Sequence, residues 1–238
     1  MISGTGFYYI GYMKRIMKNI SFVGLILVAQ AISLSARCQK VFAEGTIIYD
    51  LEIRSGNEQP GKDAKYKGAC NTIYLKGHNS RTELVSPLGT ETTIHDSKQG
   101  NAVIMKEYSG QKLMIKLTPE NWLEKNKSYT GISFETTNET KTIAGYKCKK
   151  AVARMANGKS FDVYYSPDLV VGNKEYNPTF TNLPGLAMEY EIESGNMRFK
   201  FTVTKINADP VLLSKFDFPK SGYRVMTYEE NQQMKKGN

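Results

Sequence analysis

The chain has 238 residues, is 40% hydrophobic and 23% charged, and carries a formal charge of +9. Those are globular proportions: they exclude a disordered chain and allow one domain, or at most two small ones. Five of the 32 basic residues (Lys14, Arg15, Lys18, Arg37 and Lys40) precede Glu44 and no acidic residue does. From Glu44 onward 27 bases therefore face 23 acids, a balance that aids solubility and gives no reason to invoke nucleic acid.

Residues 13–43 have the three parts of a secretory signal. Met13 to Lys18 is a basic start, Ile20 to Ala36 is apolar, and small residues follow at Ala29-Gln30-Ala31, Ala36 and Val41-Phe42-Ala43. The apolar run contains Gln30 and several serines and falls short of the roughly 20 residues a membrane-spanning helix needs. Residues 1–12 carry no charge, so Met13 reads as the better start and the residues before it as an extension. Lipid attachment at Cys38 is disfavoured because Arg37 stands where a small residue is required. The expected division is a leader over 1–43 and one domain over 44–238, working in the periplasm or outside the cell.

From Gly45 onward period-two alternation dominates. Strands are predicted over 46–54, 69–76, 79–86, 90–95, 101–107 and 111–117, most of them separated by Gly, Asn or Pro. Thr118-Pro119-Glu120 then opens a helix that carries Trp122, the sole tryptophan. Strands follow over 131–137, 146–155, 159–165, 186–193 and 197–206, and Thr227-Tyr228-Glu229-Glu230 is a capping box for a short final helix. Residues 166–185 show no period. A connection of that length either covers a binding site or is a surface crossover packing its own aromatics. The fold class is mainly β, an antiparallel sheet with a few short helices. Cys70 and Cys148 sit in strand-like segments, and their spacing leaves open a disulfide or two free thiols.

Three segments carry a family resemblance. Thr142-Ile143-Ala144-Gly145-Tyr146-Lys147-Cys148-Lys149-Lys150-Ala151 resembles a strand pair of a large group of exported bacterial proteins, and Tyr164-Tyr165-Ser166-Pro167-Asp168-Leu169 resembles the segment that follows it there. Asn182-Leu183-Pro184-Gly185-Leu186-Ala187-Met188-Glu189 resembles the GLPGLI signature, with Asn182 in place of Gly and Ala187 in place of Ile. The chain is therefore similar to LolA-like exported domains of unknown function beside the strict GLPGLI family. That resemblance implies a half-barrel like those of LolA, LolB and RseB, a curved antiparallel sheet partly closed by helices around an apolar cavity. It makes the 118–127 helix a plug and 166–185 part of a lid.

The residues hold no familiar catalytic or metal-ligating pattern. His78 and His95 read as exposed turn residues, and the metal spacings H-x-x-x-H, H-E-x-x-H and C-x-x-C are missing. G-x-S-x-G, G-x-G-x-x-G and the P-loop are missing too, so neither an enzyme nor a cofactor is expected. The candidates for holding a guest are apolar: Met114, Trp122, Leu123, Tyr165, Phe180, Leu183 and Leu186, each also readable as ordinary core. Lys76 or Arg81 could meet an anionic head group. The leading expectation is a carrier of a lipid, acyl chain or other hydrophobic small molecule, with peripheral membrane contact. A module with a filled core that contacts an envelope protein comes next, and an unrecognised hydrolase third. A carrier requires an apolar cavity of several hundred Å3, in the usual range of ligand pockets, beneath 166–186.

Overall fold

The computed structural model describes residues 39–55 and 68–236. Most of the expected leader, with Cys38, lies outside the described residues. After β1 (Lys40–Phe42) comes a six-strand meander of β2 (Glu44–Ser55), β3 (Ala69–Lys76), β4 (Asn79–Ser86), β5 (Gly89–Asp96), β6 (Ala102–Tyr108) and β7 (Gln111–Leu117). Helix α1 (Pro119–Asn126) leads to β8 (Ser133–Ile143), β9 (Tyr146–Arg154), β10 (Ser160–Ser166), β11 (Leu169–Val171), β12 (Leu186–Ser194) and β13 (Met197–Asn207). The described chain ends with β14 (Arg224–Met226) and α2 (Tyr228–Lys236).

Among the described residues twelve strands form one sheet, in the order β14-β7-β6-β5-β4-β3-β2-β13-β12-β10-β9-β8. All neighbours are antiparallel except β14 beside β7. The sheet is thus two meanders joined where β2 pairs with β13 from Thr46–Asn207 to Ser55–Met197. It is open: β14 and β8 are its edges. Its curvature follows from which strands share a hollow. Glu91 on β5 and Tyr190 on β12 line one cavity of about 230 Å3 although they lie five strands apart. On a flat sheet that separation is roughly 24 Å, too far for both to touch so small a space. The half-barrel implied by the LolA resemblance is the fold this chain forms.

The inner face is built by alternation. On β2, Ile47, Tyr49, Leu51 and Ile53 point inward, and on β3 Ile73 and Leu75 do, each at most 2% exposed. Burying side chains of this size stabilises the fold by about 1.5–3 kcal/mol apiece before entropy is counted. An aromatic chain crosses the second meander. Phe180 meets Phe134 and Phe161 at 6.3 Å and Tyr190 at 4.6 Å, and Tyr190 stacks on Phe201 at 4.7 Å. Tyr49 joins it edge-on and donates a hydrogen bond to the Ala187 carbonyl at 2.8 Å.

Two differences from the sequence-based expectation have local causes, and one alternative it left open is decided. The folded unit takes up Lys40–Phe42 from the expected leader: β1 pairs in parallel with β11, and Phe42 is 3% exposed against Gly45. Strand β8 extends to Ile143, because a register shift between Thr136 and Thr140 breaks the alternation that sequence reading relies on. Cys70 and Cys148 are free thiols. They stand on β3 and β9 with four strands between them, so no disulfide forms.

Candidate functional site

Helix α1 lies over the inner face of β5, β6 and β7. Thr118 caps it: its hydroxyl accepts from the Asn121 amide at 3.3 Å while the Asn121 side chain accepts from the Thr118 amide at 3.3 Å. Trp122 then packs with Ala102, Ile104, Ile115, Leu117 and Met226. On its sheet side Trp122 stacks on His95, with ring centroids 4.2 Å apart. Opposite α1 stands the segment between β11 and β12, two short 3-10 turns at Lys174–Tyr176 and Pro178–Phe180. It is tied down by Asn173 donating to the His78 carbonyl at 2.9 Å and Asn182 donating to the Ile132 carbonyl at 3.0 Å.

Between these two walls runs a groove. Its deeper part, about 230 Å3, has Asn71, Ile73, Thr82, Leu84 and Thr93 on the sheet floor and Trp122, Asn126, Tyr176 and Asn177 on the walls. The part between α1 and the 3-10 turns, about 350 Å3, adds Leu123, Thr130, Glu175 and Asn182. A third hollow of about 680 Å3 continues toward Met155, Phe161 and Glu193, and Tyr129 borders all three. Charges within the deeper part are engaged: Glu91 accepts from Lys106 at 2.9 Å, and the Lys125 ammonium sits 5.8 Å over the Trp122 ring. Asn71 is not satisfied. It is 5% exposed and its side-chain oxygen has no hydrogen-bond partner among the described residues. Such an orphaned acceptor costs about 1–3 kcal/mol, which a ligand N–H or O–H would recover.

The seven residues expected to hold a guest are not one set. Tyr165, Phe180, Leu183 and Leu186 belong to the main core and are at most 5% exposed. These four side chains fill the core side of the 166–186 segment, while Glu175 to Asn182 of the same segment border the groove. Met114 faces the other way, packing on the outer side of the sheet with Ile94, Met105, Phe216 and Tyr223. Trp122 and Leu123 do reach the groove, Leu123 at 71% exposure. Of the suggested head-group contacts, Lys76 pairs with Glu44 and Arg81 with Glu83. His95 corrects the reading of both histidines as exposed: it is 1% exposed, because its place on β5 turns it inward beneath Trp122. Burial holds its pKa down to about 4, against a small opposing effect of Asp96. Sequence reasoning missed Asn71, Asn126, Tyr129, Tyr176 and Asn177. One signal was available: Asn71 shares an inward column with Ala69, Ile73 and Leu75, and a polar residue there breaks the pattern.

These features define a half-barrel domain with an aromatic and amide-lined groove on its concave side. The chain belongs to the family described as N-glycanase peptide, N-terminal domain, which matches residues 72–229. A comparison with curated proteins found no match. Among solved structures it is similar to PNGF-II in the P21 space group, with a TM-score of 0.44, 14% identity and coverage of 80% of this chain and 33% of that one. It is similar also to MucB (TM-score 0.39, 10% identity, 81% and 64% covered) and to the Pseudomonas aeruginosa MucA/MucB complex (0.39, 8%, 77% and 59%). The chain spans about a third of the length of PNGF-II.

Proposed function

We propose that this is a non-catalytic binding module, exported from the cytoplasm, whose ligand lies in the groove between α1 and the 174–182 segment. The observation that carries this reading is the buried, unpartnered Asn71 oxygen on the groove floor. The lining selects the ligand by chemistry. Aromatic walls from Trp122, Tyr129 and Tyr176 suit the apolar C–H faces of rings, and Asn71, Thr82, Thr93 and Asn126 suit hydroxyl and amide groups. With the acid and ammonium of the deeper part already engaged, an uncharged ligand fits it best. A neutral saccharide has that combination, and the family's description as an N-glycanase domain supports a glycan.

The second reading is a hydrophobic guest such as an acyl chain, favoured by Leu123 standing exposed beside Trp122 and Pro178. Trp122 is the sole tryptophan, so its emission reports occupancy of this groove alone. Titration with N,N′-diacetylchitobiose is expected to shift that emission. The variant Asn71→Ala is expected to weaken binding about tenfold, the loss of one buried hydrogen bond. A response to fatty acids and none to saccharides would move the assignment to the second reading. Silence toward both would remove the groove as the site and turn the search to an envelope protein partner.

A further inference from the structure

After β13 the chain crosses the outer face of the first meander as a strap. Its anchors are spaced: Val211 is buried, Phe216 and Tyr223 pack on Ile94, Met105 and Met114, and Met226 is buried where β14 joins β7. Arg81 donates to the carbonyls of Lys215 at 3.0 Å and Asp217 at 3.3 Å, and the Tyr223 hydroxyl donates to Glu107. The strap is therefore fixed to the sheet by its inward side chains.

Its outward side chains are the anomaly. Leu212 is 74% exposed, Leu213 65%, Val225 56% and Phe218 40%. Nothing in the fold requires apolar residues there, since polar ones would leave every anchor intact. A concentration of exposed apolar side chains on one short segment marks a surface that meets something apolar. The charges beside them give its other property. Between Pro210 and Met226 the chain has Lys215, Lys220 and Arg224 against Asp217 alone, and all three bases are exposed. Leucine and phenylalanine interleaved with bases match a lipid surface, apolar at the acyl boundary and anionic at the phosphates.

We infer that the strap docks this protein on an anionic phospholipid membrane. Leu212, Leu213 and Phe218 enter the boundary between head groups and acyl chains, and Lys220 and Arg224 meet the lipid phosphates, while the Lys215 ammonium lies over the Tyr74 ring at 4.7 Å. Because the strap is already ordered, docking has no folding cost to offset, and a few side chains suffice for reversible attachment.

The test places a reporter on the strap of the full chain. Phe218→Trp adds a second tryptophan, and the wild type, with Trp122 alone, supplies the baseline. Vesicles of phosphatidylglycerol and brominated phosphatidylcholine are expected to blue-shift the added emission and quench it by about half, as for a residue at the acyl boundary. Vesicles lacking phosphatidylglycerol are expected to quench it much less. Adding Leu212→Asp and Leu213→Asp is expected to abolish the quenching. Protein that pellets with vesicles while the introduced tryptophan stays unquenched overturns the proposal, as does quenching that survives both aspartates. A blue shift that grows with protein concentration without vesicles, accompanied by a doubled mass, would assign the strap to a second copy of the chain and overturn it as well.

Discussion

Beneath the indole of Trp122, neither ring nitrogen of His95 has a hydrogen-bond partner among the described residues. A charged imidazole there would lose more hydration than the nearby Asp96 carboxylate returns, which is why burial holds the pKa at about 4 rather than 6.5. The unfolded chain takes up this proton near 6.5 and the folded chain resists it until about 4. Stability from this residue is therefore complete above pH 6.5 and falls as pH drops through that window, by on the order of 3 kcal/mol. Urea unfolding at pH 7 and pH 4.5 checks it. His95→Phe keeps the stack and is expected to remove this part of the acid sensitivity, adding about 1 kcal/mol at pH 7 by deleting an unsatisfied buried group. An unchanged pH slope would show that His95 is solvated in the folded state. Little of this was legible in the sequence. Strand β5 buries residues on both faces, Ile94 outward and His95 inward, and alternation alone does not reveal that a sheet is covered on both sides.

At the scale of elements, the long strands were legible because each keeps its alternation for most of its length. Strands β1, β11 and β14 were not: each is three residues long, too short for any period to show. The aperiodic 166–185 stretch resolves into β11 and two 3-10 turns, and its aromatic Phe180 packs in the core. Phe180→Ala is accordingly expected to destabilise the domain by about 3–5 kcal/mol. Thr181→Ala, on the groove rim, is expected to leave the thermal midpoint nearly unchanged. If both variants melt alike, the segment is not part of the cooperative core. The motif glycine next to it has a physical reason as well. A Cβ on Gly185 would overlap the Ser166 carbonyl, so Gly185→Ala forces β12 away from β10. The hairpin motif at 143–146 is explained by its turn: Ala144 and Gly145 both have positive φ, 48° and 82°, as a two-residue hairpin of this kind demands.

For the whole molecule, alternation and turn spacing were enough to name the class of fold but not the face on which each side chain lies. Met114 and Trp122 were grouped as residues that could hold one guest, yet they lie on opposite sides of one sheet. The cysteines depend on the same missing information, since strand order, not spacing, decides whether they meet. Cys148 is fully buried and burial pushes its thiol up to about 11, so its reactive thiolate is scarce at neutral pH. Iodoacetamide followed by peptide mass mapping is expected to leave Cys148 unmodified in the native protein and to modify it in urea. Reductant is expected to leave the thermal midpoint where it is. A drop would mean that a disulfide contributes to the fold.

The junction of the two meanders also sets a schedule for synthesis. Strand β2 leaves the ribosome well before β13, and the edge it offers to β13 stays bare until about 150 more residues have been made. During that interval the first meander is a half-sheet that pairs β2 with β3 on one side and leaves its other edge bare. A polypeptide built this way cannot lock into its final form while still being translated. Under the export proposed above, a seam that closes last keeps the chain slack until it has crossed the export channel.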